Sequence, residues 1–202
     1  MGAAVTIVNV GYRSTNYWVV SAGRARVLID LGWPGTMGLL RANLARLDVP
    51  LSEIRYAIAT HFHPDHAGLA QPLKDAGVPL LLADVQVAWA PTLATIAKSG
   101  DGYIDLRMDD NVVVTCDQSR ATLAAVGLHG QLVHTPGHSA DSISLLLDTG
   151  EVFTGDLTPP ALAVADDATT VAASWARLRA LGARLVYPGH GRPGPLPSRP
   201  TD

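Results

Sequence analysis

The segment Thr60-His61-Phe62-His63-Pro64-Asp65-His66-Ala67-Gly68 constrains this chain more than any other. Three histidines and one aspartate crowd into six positions directly after an apolar run, Ile54 to Thr60, that reads as a buried strand. Imidazole and carboxylate are the ligands that zinc and similar divalent ions take. His61 and His63 point the same way if the backbone stays extended through them. Pro64 then breaks that geometry and turns Asp65 and His66 toward a different point in space. One short loop can therefore serve two metal centres a few ångströms apart. Four adjacent side chains of this type have no packing role that would explain them.

Two centres need more ligands than one loop supplies. Candidates stand in Thr135-Pro136-Gly137-His138-Ser139, in Thr154-Gly155-Asp156 and in Pro188-Gly189-His190-Gly191. In each, a glycine precedes the candidate ligand, which lets the chain turn sharply and approach an ion closely. Each also follows an expected strand, so His138, Asp156 and His190 can converge on one sheet edge. His129 and His134 lack this context and are read as structural.

The rest of the chain reads as mixed sheet and helix. Val5 to Val10, Tyr17 to Ser21 and Arg26 to Leu31 are short, β-branched and separated by glycine-containing turns, an antiparallel meander. Pro34 opens a helix that Leu39, Leu40, Leu44 and Leu47 mark at helical spacing and Pro50 closes. A helix over Ala67–Ala76 and a strand over Val78–Leu82 follow. Asp84–Asn111 is harder to place; Ala83–Lys98 has helical character interrupted at Pro91, and Ser99-Gly100-Asp101-Gly102 is a loop. Strands return at Val112–Thr115, Gln131–His134, Ser142–Leu147 and Glu151–Phe153, the last two joined by an Asp148-Thr149-Gly150 hairpin. Thr169–Leu181 is a helix with Val171, Trp175 and Leu178 on one face, and Arg184–Tyr187 a final strand. The two halves share one grammar, which places helices outside two sheets.

Composition narrows the class. A chain of 202 residues fits one domain, taken as 1–192, with a Pro-rich frayed tail over 193–202. Only two of its 15 cations are lysines and the net charge is −3, so no nucleic-acid footprint is visible. Cys116 is the single cysteine, which excludes an internal disulfide framework. The longest apolar runs, such as Ala161 to Ala165, fall far short of the roughly 20 residues that span a bilayer. Met1–Val10 lacks the basic, apolar and small-residue succession of a secretion signal, so a cytoplasmic location and no membrane partner are expected. Nothing in the sequence fixes the oligomeric state.

The run His61, His63, Asp65, His66, then His138, Asp156 and His190 in that order, strongly resembles the metallo-β-lactamase superfamily. Asn16-Tyr17 and Leu28-Ile29-Asp30-Leu31-Gly32 look like the family's opening strands. The resemblance implies an α+β fold, an αββα sandwich of two mixed sheets flanked by helices, with metals at their shared edge. It also implies that His61, His63 and His138 hold one metal and that Asp65, His66 and His190 hold a second, with Asp156 bridging. Two zinc ions per chain are the expected cofactors. With a bridging hydroxide the site carries a formal charge of about +1, which favours an anionic small-molecule substrate and a developing oxyanion. The expected reaction is attack of that hydroxide on an ester-, thioester-, lactone- or amide-like carbonyl, or on a phosphoryl centre, with Asp65 shuttling a proton to the leaving group. Asp30 and Thr60 are candidate hydrogen-bond partners of the ligands. Ser139 reads equally as a partner or as a simple turn cap.

The resemblance has several branches. Asp156 is absent from most true zinc β-lactamases of the superfamily. Only twelve residues follow His190, so the helical glutathione-binding domain of the glyoxalase II kind is not expected. Persulfide dioxygenases are the rival enzyme class, with one Fe2+ on His61, His138 and Asp156. A third reading is a non-catalytic binding module that keeps its metals for stability. Specificity is expected from loops near Asn16-Tyr17, Trp33, Val85–Tyr103 and Pro159-Pro160. Trp89 is read as core; Trp33 and Tyr103 are read equally as core or pocket lining.

Overall fold

The computed structural model describes residues 5–97 and 100–198. Three strands open it, β1 (Val5–Asn9), β2 (Trp18–Ala22) and β3 (Ala25–Ile29), followed by helix α1 (Met37–Arg46) and strand β4 (Ile54–Ile58). Two short helices, α2 (Pro64–Ala67) and α3 (Ala70–Asp75), lead to β5 (Leu81–Ala83), α4 (Leu93–Ile96), β6 (Val112–Val114) and α5 (Cys116–Ala125). The second half runs β7 (Gly130–His134), β8 (Ile143–Leu147), β9 (Glu151–Gly155), α6 (Ala168–Ala180), β10 (Leu185–Pro188) and β11 (Gly194–Pro195).

β1 to β4 form one sheet in chain order, antiparallel except for the parallel β3–β4 pair. A parallel bridge from Ala57 to Leu80 carries it on to the small β5–β6 pair. The second sheet has the order β11-β10-β9-β8-β7 and is also mixed, β9–β10 being its parallel pair. Period-2 alternation sorts the side chains into layers. Val20, Val27, Ile29, Leu145, Leu147 and Phe153 meet between the sheets. Val19 and Leu28, on the opposite face, pack with Leu40, Leu44 and Leu73 of α1 and α3. Leu146 and Val152 turn outward onto Val171, Trp175 and Leu178 of α6. Three apolar layers between four layers of structure make an αββα sandwich. Burying Val171 and Leu178 alone contributes about 1.5–3 kcal/mol each.

Several expectations need correction. The helix expected from Pro34 begins at Met37, and of its four leucines only Leu40 and Leu44 are buried. The Ala67–Ala76 helix is two pieces broken at Gly68–Leu69. Trp89 is 45% exposed rather than core, because the segment after β5 breaks into single turns, Asp84–Gln86 and Ala90–Thr92, before α4. Helix α5 was not expected at all. The segment expected to be frayed instead adds β11 to the sheet, antiparallel to β10, and Leu196 N donates to Arg184 O. An edge position tolerates Pro195 because no further strand needs its missing N–H. Residues 199–202 of that segment, with Met1–Ala4 and Lys98–Ser99, lie outside the described residues.

Candidate metal centre

All seven candidate ligands meet where the two sheets end together. His63 keeps extended backbone at φ −92° and ψ 156°, and Pro64 opens α2 at its first position, where a missing N–H costs nothing. The local chain thus has His63 extended and Asp65 and His66 turned away on α2, while the chain bends at Thr60–His61. His61 Nε2 lies 3.0 Å from His63 Nδ1, and His138 Nε2 lies 3.1 Å from the same atom. Asp65 Oδ2 lies 3.3 Å from His66 Nε2 and 3.2 Å from His190 Nε2. Asp156 stands between the groups, its Oδ1 3.4 Å from His66 Nε2 and its Oδ2 3.4 Å from His190 Nε2 and 3.8 Å from His138 Nε2. Donor atoms about 3.3 Å apart are the edges of a tetrahedron around an ion with bonds of about 2.0 Å.

The outward ring nitrogens are held by partners that leave the inward ones free. His66 Nδ1 lies 2.9 Å from Asp30 Oδ2. Asp30 Oδ1 accepts from both the N–H and the hydroxyl of Thr60, whose oxygen is 3.2 Å from His61 Nδ1. His190 Nδ1 donates to Ser14 O at 2.8 Å. Asp30 reaches inward because it takes the left-handed region at φ 59°, which an aspartate tolerates better than most residues. Asp30 and Thr60 thus stand where the sequence suggested. Ser139 caps its own turn through Ser142, and His134, read as structural, contacts Ala140 O.

The surroundings fix the loops. A Cβ on Gly189 would sit 2.5 Å from Asp156 Oδ1 and 2.6 Å from His66 Cε1, and one on Gly155 would strike Thr60 Oγ1. Ser174 and Trp175 of α6 donate to Pro136 O and Thr158 O, which pins the loops that carry His138 and follow Asp156. Three positioning residues escaped the sequence reading. Thr15 Oγ1 donates to Asp65 Oδ2 at 3.0 Å, Asp141 Oδ2 accepts from Phe62 N at 2.8 Å, and Gln86 Nε2 donates to Ala59 O. Asn16, part of a loop expected to set specificity, donates to Pro188 O and Gly191 O.

The charge pattern calls for cations. Burial and then the neighbouring imidazoles hold His61 well below its ordinary value, and burial lowers His138 as well. Burial opposes a charged His66 too, but Asp30, Asp156 and Asp65 outweigh it and raise that imidazole well above its ordinary value. Asp65 and Asp156 stay low despite burial, chiefly through contact with His66. Three carboxylates around one imidazole leave positive charge in demand. His66 Nε2 and Asp156 Oδ1 are buried 3.4 Å apart, and neither makes a well-aligned hydrogen bond. Orphaned donor atoms of metal-ligand type, aimed at shared points, fit divalent ions.

A cleft of about 300 Å3 opens on the cluster, lined by His138, Asp156, Leu157, Thr158, Pro159 and His190 among others. A larger hollow of about 500 Å3 beside α1, lined by Leu44, Val49, Pro50 and Leu51 with Arg41 and Asp48, contains none of the candidate ligands. Trp33 and Tyr103 are half-buried against the core layer beside α1. No helix among the described residues is long and apolar enough to cross a membrane.

Comparison with known proteins agrees with this geometry. A family profile described as the metallo-beta-lactamase superfamily matches residues 10–190. The beta-lactamase-like protein 2 homolog of Caenorhabditis elegans is 29% identical over 182 residues, covering 89% of this chain and 56% of that protein. An atrochrysone carboxyl ACP thioesterase of Aspergillus fumigatus is 30% identical over 187 residues, covering 89% and 38%. The chain thus spans about half the length, or less, of these relatives. Among solved structures, the BLEG-1 B3 metallo-beta-lactamase superposes with a TM-score of 0.71 at 21% identity, covering 96% of this chain and 94% of that one. A metallo-beta-lactamase family protein from Thermus thermophilus gives 0.69 at 20% identity, covering 96% and 75%.

Proposed function

The chain belongs to the metallo-beta-lactamase superfamily, and we propose on that footing that it is a dinuclear zinc hydrolase of ester- or thioester-like carbonyl compounds. One observation carries the reading: seven donor side chains form a three-histidine group and an Asp-His-His group with Asp156 reaching both. Two divalent ions bound there would polarise the substrate oxygen and make a water nucleophilic near neutral pH. His61 Nε2, His63 Nδ1 and His138 Nε2 would hold one ion, and Asp65, His66 and His190 the other, with Asp156 shared.

The protein's own part is orientation and proton handling. Thr60, Asp30 and Ser14 O take the outward nitrogens of His61, His66 and His190, so the inward nitrogens present lone pairs. Asp65 would hold the second ion through Oδ2, which the Thr15 hydroxyl orients, and would carry a proton toward the leaving group through its other carboxylate oxygen. Leu157 and Pro159 exclude water from one side of the cleft. The thioesterase relative supports a thioester among the substrates. A cytoplasmic location and a single-domain organisation that takes in β11 belong to the same proposal.

Metal analysis of protein grown with zinc and iron, followed by assays on chromogenic esters, lactones and thioesters, tests it. Two zinc ions per chain with hydrolysis are expected. One iron per chain with oxygen uptake on glutathione persulfide would replace this reading with the dioxygenase one. Folding that depends on metal without any turnover would favour the binding module.

A further inference from the structure

We propose that Arg13 binds an anionic group of the substrate, a carboxylate or phosphate carried a few bonds from the reacting carbonyl. The identity of the reacting group rests on the hydrolase reading; the anion site rests on its own observations. Arg13 takes φ 59° in the β1–β2 loop, a left-handed conformation that a long side chain keeps only where its surroundings hold it. The next residues of that loop are tied to the cluster, Ser14 O to His190 and Thr15 Oγ1 to Asp65. The guanidinium carbon lies 5.3 Å from the Tyr12 ring centre and 5.5 Å from that of Trp33. Trp33 sits two residues past Leu31, whose N–H donates to His66 O. The cation is thus fixed by two segments that both lock onto the Asp65-His66-His190 group.

Its charge is unanswered. Arg24, Arg26, Arg107 and Arg120 each meet a carboxylate; Arg13, exposed like Arg41, Arg46 and Arg192, has no ion pair or hydrogen bond among the described residues but is held over two aromatic rings. Aromatic faces attract a guanidinium but leave its in-plane N–H groups unused. Two further donors stand in the same neighbourhood without an acceptor, Trp33 Nε1 and the buried Tyr17 hydroxyl. Burial above all, with the Asp65 and Asp30 charges, raises the Tyr17 phenol far above its ordinary value, so it remains a donor. The loop that carries Arg13 reaches a centre that would itself be cationic through Ser14 and Thr15, and an anion spanning from the guanidinium to that centre would meet positive charge at both ends.

The test compares glutarate with acetate on metal-loaded protein by calorimetry, in the wild type, R13Q and R13G. Glycine accepts the positive φ, so R13G removes the guanidinium without straining the loop. The ratio of glutarate to acetate affinity is expected to fall about tenfold in both variants, as for loss of one charge-assisted hydrogen-bonded contact. The kcat/KM ratio of an aryl hydrogen glutarate to the aryl acetate should fall in parallel. Unchanged ratios in both variants overturn the proposal. A falling glutarate ratio with no ester turned over keeps the anion site and removes the hydrolase reading. Turnover of both esters at Arg13-independent ratios does the reverse.

Discussion

Asp30 Oδ2 stands 2.9 Å from His66 Nδ1, and neither side chain has appreciable contact with solvent. The other oxygen of Asp30 accepts two hydrogen bonds from Thr60, so one carboxylate orients His66 directly and His61 through a hydroxyl. Asp30→Asn replaces one acceptor with a donor that faces either the ring N–H or Thr60. Metal affinity is expected to fall about 10–100-fold. Competition against a chromophoric chelator measures this, with circular dichroism checking that the fold survives.

Thr15 offers a pH-dependent test of the role given to Asp65. Burial opposes ionisation of Asp65, and the Thr15 hydroxyl is one of the contacts that outweigh this and stabilise the carboxylate, behind His66 in weight. Thr15→Val removes that donor, so the Asp65 pKa rises and the acid limb of the pH–rate profile moves to higher pH. Asp65→Asn abolishes the proton carrier, and kcat is expected to fall roughly 100-fold or more. Unchanged turnover in Asp65→Asn would remove the proton role altogether.

Gly189→Ala probes the close approach behind His190. The new methyl would press on Asp156 Oδ1 and on the His66 ring, both of which belong to the crowded group. Metal content per chain should drop while the thermal transition of the metal-free protein moves little. Elemental analysis and calorimetry of the same sample decide it.

Helix α5 carries a prediction for stability alone. Thr115 accepts from Gln118 N while Gln118 Oε1 accepts from Thr115 N, a reciprocal cap at the helix start. Thr115→Ala should cost about 1 kcal/mol and lower Tm by about 2–4 °C. Metal content should be unchanged.

How much of this was legible varied with the range of the physics involved. The convergence of His61, His63, Asp65, His66, His138, Asp156 and His190 could be read because ligand chemistry lives in residue identity and the flanking glycines announce sharp turns. Short β-branched and apolar runs bounded by turns marked the strands of both sheets except β11, for the same local reason. Thr15, Asp141 and Gln86 could not be read, since a threonine 50 positions from Asp65 has no local mark of its partner. Helix α5 buries only Ser119 and Leu123, so it has no apolar stripe; its cap was the available signal. Trp89 misled because aromatic bulk suggests core, whereas its turn leaves it outside.

Asn16 ties the opening hairpin to the stretch after β10, grasping the carbonyls of Pro188 and Gly191 on either side of His190. A ribosome-bound chain that has not yet released this stretch holds six of the seven ligands and nothing for that amide to clasp. On the proposed metal reading, ion capture at full strength would wait until synthesis has passed His190, and a truncation short of that residue would leave the candidate cradle open on one side.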